Sequence, residues 1–292
     1  MYKFSANILM DKKIIFYLFF FILCIIIFYK KNTTKIITVN VGYYLIAGFT
    51  NDGMEQMEKR CRDILNILVS YNPDIICTQE DLLIDTPIFE NIYKEYGYEI
   101  INYCQSHIKK INQKLDKTKL GNVIYGKYNL KNIQKINNID NLDYNQKGCY
   151  TKPRCATAIL INNYKIFNTH LCGGRFDDKY ASNNKIPNDT KEKQMENILY
   201  QNPDIIVGDL NSSYDNSNNK VWKEGALNLL FRRGYKSAIK NYLKKETSFR
   251  SKKVVDWIFY KDYINLIDSK IIKLYSNNKL LTDHHAIYIE IY

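Results

Sequence analysis

The sequence predicts an α/β fold in which mixed or antiparallel sheets are flanked by helices. Three observations carry that reading. Short β-rich runs outnumber stretches with helical periodicity. Two of those runs, 154–161 and 164–170, are separated only by Asn162-Asn163, a dipeptide suited to a tight hairpin. The pentapeptide Asn-Pro-Asp-Ile-Ile occurs twice, at 72–76 and 202–206, each time between a helical stripe and a run that ends on a carboxylate, Glu80 and then Asp209. A chain of 292 residues can bury a substantial core, in one large domain or two small ones.

From the amino terminus, the first element is an apolar run of sixteen residues, Ile14 to Tyr29, bracketed by Lys12-Lys13 and Lys30-Lys31. At about 1.5 Å per residue it spans about 24 Å, short of a hydrocarbon core of about 30 Å unless the flanking lysines snorkel outward. A core helix is rarely apolar on every face so near a terminus, and a cleavable signal wants small residues where this chain has Tyr29-Lys30-Lys31-Asn32. The expected organisation is a flank over 1–13, an uncleaved single-pass transmembrane helix over 14–29, a link over 30–34 and one domain over 35–292. Lysines are balanced on the two flanks, so the positive-inside rule gives no orientation.

The globular part starts on the β-rich run Lys35–Gly42. Met54, Met57, Cys61, Ile64, Leu65 and Leu68 then fall on one helical face that stops before Asn72-Pro73, and a strand over 74–79 follows. The second copy repeats this grammar: Thr190 is the expected cap of a helix carrying Met195, Ile198 and Leu199, ahead of Asn202-Pro203 and a strand over 204–209. Further strands are expected at 98–103, 154–161, 164–170, 254–260 and, with alternating burial, 285–292. The Asn/Lys-rich tracts at 105–120, 128–147, 182–190 and 213–220 are expected as surface loops.

A net charge of +12 suits an anionic partner. Yet only seven of the 42 basic residues are Arg, and the abundance of Lys, Asn, Ile and Tyr follows AT-rich codons, so nucleotide bias accounts for the charge equally well. The seven cysteines, at 24, 61, 77, 104, 149, 155 and 172, show no metal-type spacing and suggest no disulfide framework; Cys77 and Cys155 are expected as small core residues.

Polar residues terminate the expected strands: Asn40, Glu80, His170 with Asn168, Asp209 with Asn211, Asp256, and Asp283-His284. The segments around them, TVNVG (38–42), DIICTQE (74–80), IFNTHL (166–171), VGDLNS (207–212), VDWIF (255–259) and LTDHHAI (281–287), occur in the order and approximate spacing of the endonuclease/exonuclease/phosphatase superfamily. From about Lys35 to Tyr292 the chain resembles a member. Val39 stands where the family often has tryptophan and Thr282 where it often has serine, neither a metal or proton-transfer position.

The resemblance implies a four-layer α/β/β/α sandwich whose motif-bearing strand ends meet in one cleft, and hydrolysis of phosphoester bonds with Mg²⁺ or Mn²⁺. Such ions take oxygen ligands, which suits Glu80, Asn40 and Asp283 as the metal set. Asp209 matches the general base, with Asn211 on the same strand face to orient the water. His170 matches the histidine that contacts the phosphoryl group, and His284 matches the second, held by Asp256; His285 is expected to point away. Arg175 in the glycine-containing loop 172–178, Arg154, and Asn168 beside His170 are candidate substrate contacts.

The expected function is metal-assisted attack of an Asp209-activated water on a phosphodiester, with nucleic acid as the favoured substrate. A membrane-tethered lipid phosphoesterase of the sphingomyelinase or phosphoinositide-phosphatase kind is the alternative, and an inactive tethered binding module a third reading. No protein partner is inferable. The sequon Asn211-Ser212-Ser213 lies on a catalytic position, which favours a cytosolic catalytic domain on a single-pass membrane protein.

Overall fold

The computed structural model describes residues 16, 17, 19, 20, 33–44, 53–83, 87–109, 118–142, 154–173, 185–214 and 225–292. Of the expected transmembrane segment only Phe16, Tyr17, Phe19 and Phe20 are among these, all helical and exposed; the rest of 14–29 lies outside the described residues. Among the described residues no helix is long and apolar enough to cross a membrane.

From Thr34 to Ile291 the chain forms one compact unit. Its first half runs β1 (Thr34–Asn40), α1 (Met54–Val69), β2 (Ile75–Leu83), α2 (Ile88–Glu95), β3 (Tyr98–Lys109) and β4 (Thr118–Lys127). Its second runs β5 (Ile133–Lys135), β6 (Ala156–Ile161), β7 (Tyr164–His170), α3 (Lys185–Tyr200), β8 (Ile205–Asp209), α4 (Gly225–Arg232), β9 (Tyr235–Ser237) and β10 (Asp256–Lys261). It closes with β11 (Leu266–Ile272), a small hairpin of β12 (Tyr275–Ser276) and β13 (Lys279–Leu280), and β14 (Ala286–Ile291).

Two six-stranded mixed sheets result, ordered β11-β14-β1-β2-β4-β3 and β5-β6-β7-β8-β10-β9. In each, one central pair is parallel, β1 with β2 and β7 with β8, and the remaining pairings are antiparallel. The inner faces meet in a shared core of Ile36, Ile75, Cys77 and Ile124 from the first sheet against Ala158, Phe167, Val207 and Ile258 from the second. The expected stripe of α1 is buried at Met57, Cys61, Ile64, Leu65 and Leu68 against the outer face of the first sheet, while Met195 and Ile198 of α3 and Leu227 and Leu230 of α4 join the core of the second. Each such fully buried side chain contributes about 1.5–3 kcal/mol over its exposed state.

The repeated pentapeptide marks equivalent places in the two halves. Asn72 and Asn202 both stand at φ 51°, ending α1 and α3. Asp74 then donates its N–H to Lys35 O (2.9 Å) and accepts the Lys35 N–H on its carboxylate (2.8 Å), and Asp204 does the same with Lys165 (2.8 and 2.7 Å). Tyr98 donates to Pro73 O as Tyr235 does to Pro203 O. The motif is thus a clamp that fastens the start of a buried strand to its parallel neighbour, at the end of each sheet remote from the carboxylate tips.

Four expectations are corrected. Helix α3 starts at Lys185, so Thr190 lies inside it instead of capping it. The described residues of the tract 105–120 are strand, since β3 runs to Lys109 and β4 starts at Thr118, and 110–117 lie outside the described residues. Strand β8 ends at Asp209, and Asn211, at φ 47°, has left the strand. Cys155 is no simple core residue, for it forms a disulfide with Cys104 that ties β3 of one sheet to the chain entering β6 of the other, and Cys172 is disulfide-bonded as well. The Asn162-Asn163 turn is as expected, both residues having positive φ (47° and 69°).

Candidate active site

The site forms where the carboxyl-terminal tips of β1, β2, β7 and β8 converge with the start of β10 and the turn before β14. Register does most of the placing: His170 on β7 and Asp256 on β10 are the Cα partners of Asp209 on the strand between them. The strand pair β7/β8 approaches so closely beside this point that a Cβ on Gly208 would lie 1.9 Å from Thr169 O, and Gly208 stands at φ 132°. Only glycine fits there, a physical reason for the Gly before Asp209.

Asp209 is 2 % exposed and is held from several directions. Its Oδ1 accepts the Asn211 N–H (2.8 Å) and its Oδ2 the Asn40 side-chain amide (3.0 Å). Oδ2 also lies 3.5 Å from His170 Nε2 and 3.9 Å from His284 Nε2. Burial, with the nearby Asp256 charge, pushes the Asp209 carboxyl up to about 6, against the pull of His284, Asn211 and Asn40. The result is a carboxylate that is ionised at neutral pH yet basic enough to take a proton.

The two histidines differ in protonation. Arg154, 4 % exposed, places a guanidinium nitrogen 3.0 Å from His170 Nδ1. Guanidinium cannot accept a hydrogen bond, so Nδ1 accepts and the His170 proton sits on Nε2, facing Asp209 and Glu80. His284 Nδ1 instead meets both oxygens of Asp256 at 3.1 and 2.9 Å. Burial alone would draw the His284 imidazole down, but Asp256, Asp209 and Asp283 together push it up to about 10. His284 is therefore an imidazolium and His170 a neutral N–H donor. His285, as expected, faces away, buried with its ring 5.8 Å from that of Tyr275.

Glu80 enters the cleft from a β-bulge between Thr78 and Asp81, where β2 slips its register against β4, and stands at φ 52°. Strain of this kind, about 1–3 kcal/mol, persists only where the surroundings over-determine it. The next residue supplies the restraint: Asp81 is wholly buried and accepts from Tyr44 (3.0 Å), Tyr125 (3.0 Å), Thr78 (2.6 Å) and the Leu82 N–H (2.8 Å). Burial raises the Glu80 carboxyl, as do the charges of Asp209 and Asp283, while Arg154 and His284 oppose the shift. A carboxyl raised by two neighbouring carboxylates in this way suits a divalent cation bound by oxygen, so the residues fit the metal that the family resemblance implies. Asp209, Asp256 and His284 also bring ligand-type atoms within 4.8 Å of one another. A protonated His284 repels a cation, which leaves Glu80 and Asp283 as the carboxylates that could hold one.

The other expected residues have partners of their own. The Asn40 amide serves Asp209, and its oxygen accepts the Gly42 N–H (2.9 Å), so it orients the base. Asn168 is fully buried between the sheets, its amide donating to Thr78 O and Val123 O (both 2.9 Å) and its oxygen accepting from Gln79 (2.6 Å), so it staples the halves together. Asn211 points its amide at Leu171 O (3.1 Å). Asp283 is paired with Arg250 (2.8 Å), and Arg154 supports His170 from behind. Arg175 lies outside the described residues.

Tyr43 escaped the sequence reading. It stands at φ 60° in a left-handed turn, Gly42–Tyr44, and its hydroxyl is hydrogen-bonded to Glu80, near Arg154 and Asp283. Burial, followed by the Glu80 charge, pushes that hydroxyl far up, so Tyr43 is a donor at any working pH. The Gly before it was the only sequence signal for such a turn.

Comparison with solved structures finds the same fold in an endonuclease/exonuclease/phosphatase from Beutenbergia cavernae (10 % identity, 89 % of this chain and 71 % of that one, TM-score 0.64). The human Nocturnin catalytic domain with bound sulfate is also similar (16 % identity, 89 % and 93 %, TM-score 0.61), as is D. rerio TDP2 complexed with a single-strand DNA product (15 % identity, 90 % and 100 %, TM-score 0.55). No curated protein sequence matches the chain. The model of the Endonuclease/Exonuclease/phosphatase family matches residues 37–284, which run from β1 to the turn before β14, and the chain belongs to that family.

Proposed function

We propose that the protein is a divalent-metal-dependent phosphodiesterase acting on nucleic acid. The observation that carries this reading is Asp209, a buried base set between a neutral Nε2–H donor, His170, and an imidazolium, His284. Asp209 takes a proton from the attacking water, with Asn40 and the Asn211 N–H fixing its orientation. His170 and His284 donate to the non-bridging oxygens as negative charge builds on the phosphoryl group. Glu80 and Asp283 would hold Mg²⁺, or Mn²⁺, which polarises the phosphoryl oxygen and stabilises the departing one. Nucleic acid is favoured because one structural neighbour is described with a single-strand DNA product.

The test is a substrate panel on the pure full chain: single- and double-stranded DNA, RNA, sphingomyelin and phosphoinositides, with Mg²⁺, Mn²⁺ or EDTA. Cation-dependent cleavage of a nucleic acid is expected. Release of lipid headgroup or phosphate alone would replace this reading with the lipid phosphoesterase that the apolar segment 14–29 motivates.

We also infer that the catalytic domain works in an oxidising compartment. The reading is supported by the Cys104–Cys155 disulfide and the disulfide at Cys172, since cytosolic thiols are kept reduced. It reverses the side favoured by the sequon, whose Asn211 amide is already engaged by Leu171 O. Translation of the full chain with microsomes should leave the domain protected from added protease. Digestion without detergent would place it in the cytosol.

A further inference from the structure

We propose that the segment joining β9 to β10, residues 238–255, is a docking surface for the polynucleotide strand next to the scissile phosphate, with Phe249 as a base-stacking platform. The proposal rests on the nucleic-acid reading of the site and adds to it the residues that hold a polymer.

The segment is sewn to the catalytic elements on both sides. Thr247 Oγ1 accepts the N–H groups of Val255 and Asp256 (both 3.0 Å), where β10 delivers Asp256 to His284. Thr247 O accepts the His285 N–H (2.7 Å), Ser248 bridges His284, and the Phe249 N–H donates to Asp283 O (2.8 Å). Its tip is therefore fixed at the rim of the cleft, beside the imidazolium and a candidate metal ligand.

Its chemistry is what a nucleic acid recognises. Six basic residues, Lys240, Lys244, Lys245, Arg250, Lys252 and Lys253, face one acid, Glu246, within fourteen positions. All six but Lys253 are exposed. Codon bias spreads lysine evenly; it does not explain this concentration on a loop pinned to the reacting groups. Among these charges Phe249 is 42 % exposed, although aromatic rings are ordinarily buried. A left-handed turn at Lys252 (φ 55°) brings its ammonium to 3.6 Å above one face of the Phe249 ring. A hydrophobic face flanked by cations suits a nucleobase with its neighbouring phosphates, and such stacking is sequence-tolerant.

The experiment measures binding of a fluorescein-labelled single-stranded oligothymidylate to the full chain in EDTA, by anisotropy across a salt series. Hydrolysis of bis(p-nitrophenyl) phosphate with Mg²⁺ is followed in parallel. Phe249→Ala should weaken oligonucleotide binding about tenfold, with Phe249→Trp restoring it, and Lys252→Ala should flatten the log Kd against log salt slope by about 1. Small-diester turnover should be unchanged in all three. Variants that bind the oligonucleotide as the unaltered protein does would overturn the proposal. So would loss of binding to anionic phospholipid vesicles with oligonucleotide binding intact, which would make the segment a membrane-contact surface. Intact oligonucleotide binding without hydrolysis of any diester would refute the catalytic reading and leave this one standing.

Discussion

Asp209 Oδ2 and His170 Nε2 lie 3.5 Å apart because their residues are Cα partners on the parallel strands β7 and β8. The same rung carries Asp256 on the other flank, so three functional residues come from one row of a sheet. Glu80 reaches this row from the opposite sheet, 3.9 Å from the same His170 nitrogen.

The proposed mechanism separates proton transfer from metal binding. Asp209→Asn keeps the shape and loses the base, so turnover should fall by about 10²–10⁴-fold while Mg²⁺ affinity changes little. Glu80→Gln should weaken Mg²⁺ or Mn²⁺ binding by more than about tenfold, read by calorimetry without substrate. Equal effects of both variants on metal affinity would contradict the separation.

The pH profile follows from the same neighbours. Asp209 works ionised, with its carboxyl at about 6, and His284 works protonated, with its imidazole at about 10. Activity should rise as pH passes about 6 and fall as it approaches about 10, giving a bell. Asp256→Asn removes the charge that raises His284 and should move the alkaline limb downward by at least one pH unit. The sign for stability is that of a raised histidine: the His284–Asp256 pair contributes fully below the unfolded value of about 6.5, and its contribution is lost as pH rises through about 10. Chemical denaturation at pH 6 and pH 10 should show a loss in the unaltered protein that is reduced in Asp256→Asn.

Gly208 gives a sharper structural test. A methyl group there meets Thr169 O at 1.9 Å and a φ of 132° that other residues avoid. Gly208→Ala has to part β7 from β8 where His170 faces Asp209, and should cost about 3 kcal/mol or more, measured by urea unfolding. A variant of unchanged stability and turnover would mean that the strands do not approach so closely.

What could be read in the sequence was what burial and order make local. Strands β1, β2, β7 and β8 appear as largely buried, Ile/Val-rich runs that stop at a polar tip, and β10 and β14 as such runs that follow one. Strand β11, with one buried residue, and β4, broken by Gly121, Asn122 and Gly126, lack that signal. Partners distant in sequence could not be read from it: the amide of Asn40 is taken up by Asp209 and that of Asn168 by the facing sheet. The Cys104–Cys155 disulfide joins different sheets across 51 positions, which no spacing rule anticipates.

Asp81 shows how far such partners matter. It is a buried carboxylate with four neutral donors, and it anchors both left-handed turns that bring Tyr43 to Glu80: Tyr44 ends one, and Asp81 itself follows the other. Asp81→Ala would strand the Tyr125 hydroxyl in the core and leave those of Tyr44 and Thr78 only their longer bonds to Tyr93 Oη (3.3 Å) and Val123 O (3.5 Å), and should cost about 1–3 kcal/mol, the cost of an unsatisfied buried group. Asp81→Asn keeps the volume, and the hydroxyls can rotate to accept from its amide, so it should remain folded. If the anchor serves to present Glu80, the folded Asp81→Asn protein should still bind Mg²⁺ severalfold more weakly than the unaltered chain, as Tyr43→Phe should to a smaller degree. Unchanged metal affinity in a folded Asp81→Asn would reduce Asp81 to a packing role.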